Sequence, residues 1–121
     1  MKTENIIQQK TFAFAIKIIN LCKYLCDEKR ELVLSKKLLK SVTSIGANVE
    51  EAIGSQSDND FLSKMSIAYK ESEETLHCLN LLFETKYLNK DQFEDLHNEA
   101  EELCKIIGKI QITMKNVIRN S

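Results

Sequence analysis

Two Glu-x-x-His motifs, Glu74-x-x-His77 and Glu94-x-x-His97, are the residues of this chain that come nearest to a catalytic constellation. In carboxylate-bridged di-metal bundles a pair of this spacing comes from each of two helices, while two further helices each add a Glu. The added carboxylates are missing. No acid lies between Glu4 and Asp27, and Glu51 falls near the far end of a bundle from His77. His77 also shares a helical strip with Ser66, Lys70, Glu73, Asn80 and Glu84, the composition of a solvent face. Surface histidines are the main reading and a di-metal carboxylate enzyme the alternative; no metal ligand and no cofactor is assigned.

Four cysteines, Cys22, Cys26, Cys78 and Cys104, offer a second chemistry, but none forms a Cys-x-x-Cys and all sit within apolar helical patterns. Side chains at i and i+4 have Cβ atoms about 5–6 Å apart, too far for a disulfide that wants about 3.8 Å, so reduced core thiols are expected. No nucleophile and base, no Gly-rich phosphate loop and no dinucleotide fingerprint stands out. The list of catalytic residues is empty.

What must position any site is helical. A chain of 121 residues with no proline and only Gly46, Gly54 and Gly108 cannot supply the turns of a β fold, and its length suits one domain. Its apolar runs fall far short of the roughly 20 residues that span a bilayer, and Met1–Ile7 lacks the apolar centre of a signal peptide. A cytoplasmic protein with no membrane partner is expected.

Apolar periodicity predicts four helices, at about 5–27, 31–54, 58–85 and 90–118. The buried positions are Ile7, Phe14, Ile18, Leu21 and Leu25 in the first, and Leu38, Val42, Ile45, Val49 and Ala52 in the second. Phe61, Met65, Ala68, Ser72, Thr75, Leu79 and Leu82 point inward in the third; the fourth runs through Phe93, Leu96, Ala100, Leu103, Ile107, Ile110, Met114 and Val117. Ser57-Asp58-Asn59-Asp60 offers capping oxygens, and Asn89 with Gln92 reads as a capping box. Short connections then give an all-α, antiparallel up-down-up-down four-helix bundle.

The first helix is apolar over more than one face, because Phe12, Ile16 and Ile19 widen its stripe. These three are the candidate oligomer interface. Charge is also segregated: residues 1–49 carry a net +5, residues 50–102 a net −10 and residues 103–121 a net +4. Lys10, Lys17 and Lys23 of the first helix, with Lys105, Lys109, Lys115 and Arg119 of the fourth, predict one basic strip. Such a strip suits weak, sequence-independent binding of RNA or DNA, or contact with the acidic face of another subunit.

The stretch Ser44-Ile45-Gly46-Ala47-Asn48-Val49-Glu50-Glu51-Ala52, followed by Lys70-Glu71-Ser72-Glu73-Glu74-Thr75, resembles the 23S rRNA intervening-sequence protein family of four-helix-bundle proteins. The resemblance covers nearly the whole chain; where the family often has an aromatic pair this chain has His77-Cys78. It implies a bacterial protein, a left-handed bundle, assembly into a homopentamer and no enzymatic activity. Some relatives are encoded within 23S rRNA genes, and a strongly basic branch serves as a nucleic-acid-binding accessory to a reverse transcriptase. With a pI near 6.1 this chain departs from that branch.

The motif residues also have a physical account. An antiparallel turn near residue 56 sets Asn48 level with Lys64, Glu51 with Phe61, and Glu71 and Glu74 with Lys40 and Lys37. Asn48, Glu51, Lys64, Glu71 and Glu74 are therefore expected to form a polar seam that fixes register or oligomer state.

Overall fold

The computed structural model describes the backbone from residue 2 to residue 121 and the side chains from Ile6 onward; Met1 lies outside the described residues. The described residues form four α-helices: α1 (Lys2–Asp27), α2 (Val33–Ile53), α3 (Asp58–Glu84) and α4 (Lys90–Arg119). Each packs on its neighbours in sequence, and α4 returns to α1, closing an antiparallel four-helix bundle. At 1.5 Å per residue the helices span about 30–45 Å.

The starts of α2, α3 and α4 follow from a local donor problem. The first N–H groups of a helix have no partner within it. At α2 the solution is Glu31, whose carboxylate accepts from Leu34 N at 3.0 Å and Ser35 N at 2.8 Å, so the helix begins at Val33, two residues later than its apolar pattern suggests. Ser57 caps α3 by accepting from Asp60 N, and Asn89 and Gln92 form the expected capping box at α4. α3 ends with Lys86 in the left-handed region, Lys86 N donating to Phe83 O and Tyr87 N to Leu82 O.

All five core positions expected on α1 are buried, as are the five on α2 and the seven on α3. On α4 the pattern holds through Leu96, Ala100, Leu103 and Ile107 and then fades: Ile110 and Met114 are half-buried and Val117 is exposed. Geometry explains this. Lys10 lies opposite Glu102, so eight residues back to Lys2 correspond to eight forward to Ile110, and Gln111–Arg119 run past the start of α1. Among the described residues no helix is long and apolar enough to cross a membrane.

Candidate interaction surfaces

α1 presents two faces. Phe14, Ile18 and Leu25 are fully buried, whereas Phe12, 71% exposed, and Ile16, 48% exposed, point outward with Ile19 half-buried beside them. Cys22 meets Ser35 and Gln8 meets Glu50 across the α1–α2 contact, which brings Ile19 level with Leu39 of α2. Leu39, Leu32 and Val33 are exposed too, and the last two head a shallow groove edged by Lys36, Lys37 and Lys40. The outer side of α1 and α2 is thus apolar and cationic.

The basic strip is not one surface. Lys10 Nζ lies 2.7 Å from Glu102, and Lys17 Nζ lies 2.8 Å from Glu99 and 3.6 Å from Asp95. The Lys17 ammonium is accordingly held above its ordinary value, first by Glu99. Since α1 and α4 touch sparsely, these exposed pairs bridge their border, and two of the seven charges are met within the chain. Lys23 stays on the outer face of α1; Lys105, Lys109, Lys115 and Arg119 remain exposed on α4.

The seam is realised at one point, where Lys64 Nζ approaches Glu51 to 3.3 Å. Asn48 turns back on its own helix: its amide donates to Ser44 O at 2.9 Å and Ser44 Oγ at 3.2 Å. Among the described residues Glu71 and Glu74 form no ion pair with Lys40 or Lys37, so the expected α2–α3 charge ladder stops after its first rung. Half-buried Glu71 serves instead through its carbonyl, which accepts from Thr75.

The Glu-x-x-His residues are not drawn together. Glu74, His77 and Glu94 are exposed, and half-buried His97 lies against Phe93, which stacks on Phe83 at 4.3 Å between ring centres. Among the described residues no group of three or more His, Cys, Asp and Glu side chains is placed to hold a metal ion.

Two features escape a reading of pattern alone. At the α1–α2 turn the Cys22 thiol donates to Ser35 O, Cys26 and Ser35 Oγ share a hydrogen bond, and Ser35 Oγ donates to Glu31 O. Burial, followed by the nearby Cys26, pushes the Cys22 thiol up to about 11. The second feature lies between α3 and α4, where the Tyr69 ring rests on Gly108: a Cβ there would come within 3.1 Å of it. Gln111 Nε2 donates to Ser66 Oγ one turn further on, beside a shallow groove that runs on to Ile112 and Lys115.

The fold and its sequence have relatives. The family model for 23S rRNA-intervening sequence proteins matches residues 3–109. Among solved structures, the chain is 42% identical to a protein of unknown function from the S23 ribosomal protein family of Bacteroides thetaiotaomicron, with a TM-score of 0.88 over 90% of this chain and 97% of that one. No curated protein matches. With nearly nine-tenths of its length under one family model and a close structural counterpart, this chain belongs to the 23S rRNA-intervening sequence protein family.

Proposed function

We propose that the chain is a non-catalytic helical subunit that assembles with copies of itself, a homopentamer being the expected form, and serves as a nucleic-acid-associated scaffold. The observation that carries the assembly is Phe12: a large aromatic ring left 71% exposed on the same strip as Ile16 and Ile19, the last of these level with exposed Leu39 of α2. Contiguous apolar surface of this kind is a mark of an interaction site. A second copy is the fitting occupant because the chain supplies both halves of a complementary contact. The α1–α2 side is apolar with Lys23, Lys36, Lys37 and Lys40, while the outward side of α3 exposes Glu73, Glu74 and Glu84. Contacts between different patches on successive copies close into a ring when the rotation from copy to copy completes a full turn, as in a pentamer. The nucleic-acid part is supported by the names of its relatives, which refer to ribosomal RNA and to a ribosomal protein family, and by the lysines of α4.

Sedimentation tests the assembly. Wild type should run as an oligomer, and Phe12→Asp or Ile16→Asp should yield smaller species that keep their helicity, since neither side chain supports the core. A monomeric wild type overturns the reading. Phe14→Asp, two residues away but fully buried, should instead unfold the bundle.

A further inference from the structure

The groove between α3 and the C-terminal half of α4 combines features that neither core packing nor the α1 surface explains. Its floor is Tyr69, Cys104 and Gly108, and its rim carries Lys105, Lys109 and Lys115. The volume is about 430 Å³ and the lining is mostly apolar. Gly108 is what admits the aromatic ring to the backbone of α4, because a side chain at that position would displace it. The Tyr69 phenol is held above its usual value, first by Cys104 and then by Glu73, so the ring is neutral at physiological pH.

Charge around the groove is one-sided. From Leu103 to Ser121 the chain has four basic residues and no acid. Of the acids around it, Glu101 sits 3.8 Å from His97, Glu102 is paired with Lys10, and Glu73 of α3 acts on Tyr69 from the side of the α3–α4 turn. Among the described residues Lys105, Lys109 and Lys115 have no carboxylate within ion-pair distance, in contrast to Lys10 and Lys17 on the opposite border of α4. Lys105 and Lys109, one turn apart, lie on one exposed strip of the helix.

We infer that this groove is a binding site for single-stranded nucleic acid, in which Lys105, Lys109 and Lys115 meet successive phosphates and a base lies on Tyr69. The inference rests on the nucleic-acid part of the proposed function and adds the place and the strand form. A duplex would present phosphates to the lysines but keep its bases stacked inside, leaving Tyr69 and the apolar floor without a partner. An unpaired strand can satisfy both, because every base offers a face for stacking and the contact tolerates any sequence.

The test is anisotropy of a fluorescein-labelled oligouridylate of about 12 nucleotides, a length within the usual site size of such proteins. Three phosphate contacts predict a salt slope of about −2, so affinity should fall about 20-fold between about 50 and 200 mM salt. Changing Lys105→Gln together with Lys109→Gln should flatten this to a roughly 3-fold fall. Both side chains are exposed, so the double variant keeps the fold. Tyr69→Ala should weaken binding at least about 5-fold at fixed salt, whereas Tyr69→Phe should bind as wild type does. A labelled duplex of equal length should bind more weakly than the strand. Undiminished binding by both the lysine and the Tyr69→Ala variants would remove the site from this groove while leaving nucleic-acid binding itself standing. Loss through the lysines with none through Tyr69→Ala would overturn the stacking contact. If wild type fails to bind at about 50 mM salt, the nucleic-acid reading falls as well. Should the double lysine variant then also sediment as smaller oligomers, the groove is a contact between subunits.

Discussion

The two ends of the bundle solve the same problem in opposite ways. Where α1 ends and α2 begins, every buried polar group finds its partner inside the chain. Glu31 caps two backbone N–H groups, Ser35 joins Glu31 to Cys26, and Cys22 donates to the Ser35 carbonyl. At the other end α4 outruns α1, its apolar residues rise to the surface and its lysines face outward. One end is closed and specifies the fold. The other is open, with lysines and apolar side chains exposed on the last turns of α4.

Glu31→Ala should break the closed end most severely. Glu31 is 8% exposed, and its carboxylate accepts two backbone hydrogen bonds at 2.8 and 3.0 Å, next to the positive pole of α2. Truncation strands both donors in a buried setting, with an expected loss of about 2 kcal/mol in urea unfolding. A loss below about 0.5 kcal/mol would show that water reaches this end and that it is no more closed than the other.

Alkaline titration sharpens the comparison through Cys22. Its folded value is raised to about 11 from an ordinary value near 9, so the folded state holds the thiol proton more tightly than the unfolded chain does. The stabilisation this represents is fully present below pH 9 and is lost as pH rises toward 11. Unfolding midpoints should fall more steeply over that window in wild type than in Cys22→Ala, on the order of 2 kcal/mol at its limit. Equal slopes would mean that the thiol is not held in a dry site. In the folded protein at neutral pH, half-buried Cys26 should also react with an alkylating reagent before Cys22 does.

The closed end and the core were legible in the sequence to different depths. Apolar spacing alone identifies Ile7, Phe14, Ile18, Leu21 and Leu25, because a helix fixes which residues share a face. The capping residues Ser57 and Asn89 are equally visible, since their donors lie three residues away. The partners of Lys10 and Lys17 are not. They lie 92 and 82 residues distant, and their identity depends on the vertical register of α1 against α4, which no local rule sets. The same register decides that Val117, in step with the core pattern, has nothing to pack under. For the candidate groove, the lysines of α4 were evident as charges, but their pairing with Tyr69 required knowing that Gly108 opens onto α3. Segregated charge showed that a surface existed; it did not show which lysines were already neutralised.

The smallest expected effect is the most informative about where the polar motif of α2 looks for its partners. A seam reading of Asn48 predicts that Asn48→Ala costs about 1–3 kcal/mol, through loss of a buried hydrogen bond to α3. The structure turns the amide back onto Ser44, within its own helix, where such a bond competes with nothing but water and adds little. Alanine also has the higher helix propensity, by about 0.5 kcal/mol. In the isolated subunit, for example in a Phe12→Asp background, Asn48→Ala should therefore change stability by no more than about 0.5 kcal/mol in either direction. Among the described residues the amide oxygen of Asn48 accepts no hydrogen bond, which leaves it available to a neighbouring copy. If the same substitution costs more than about 1 kcal/mol in the assembled wild-type background, the difference measures a contact between subunits, and the α2 motif belongs with the open surfaces of the molecule.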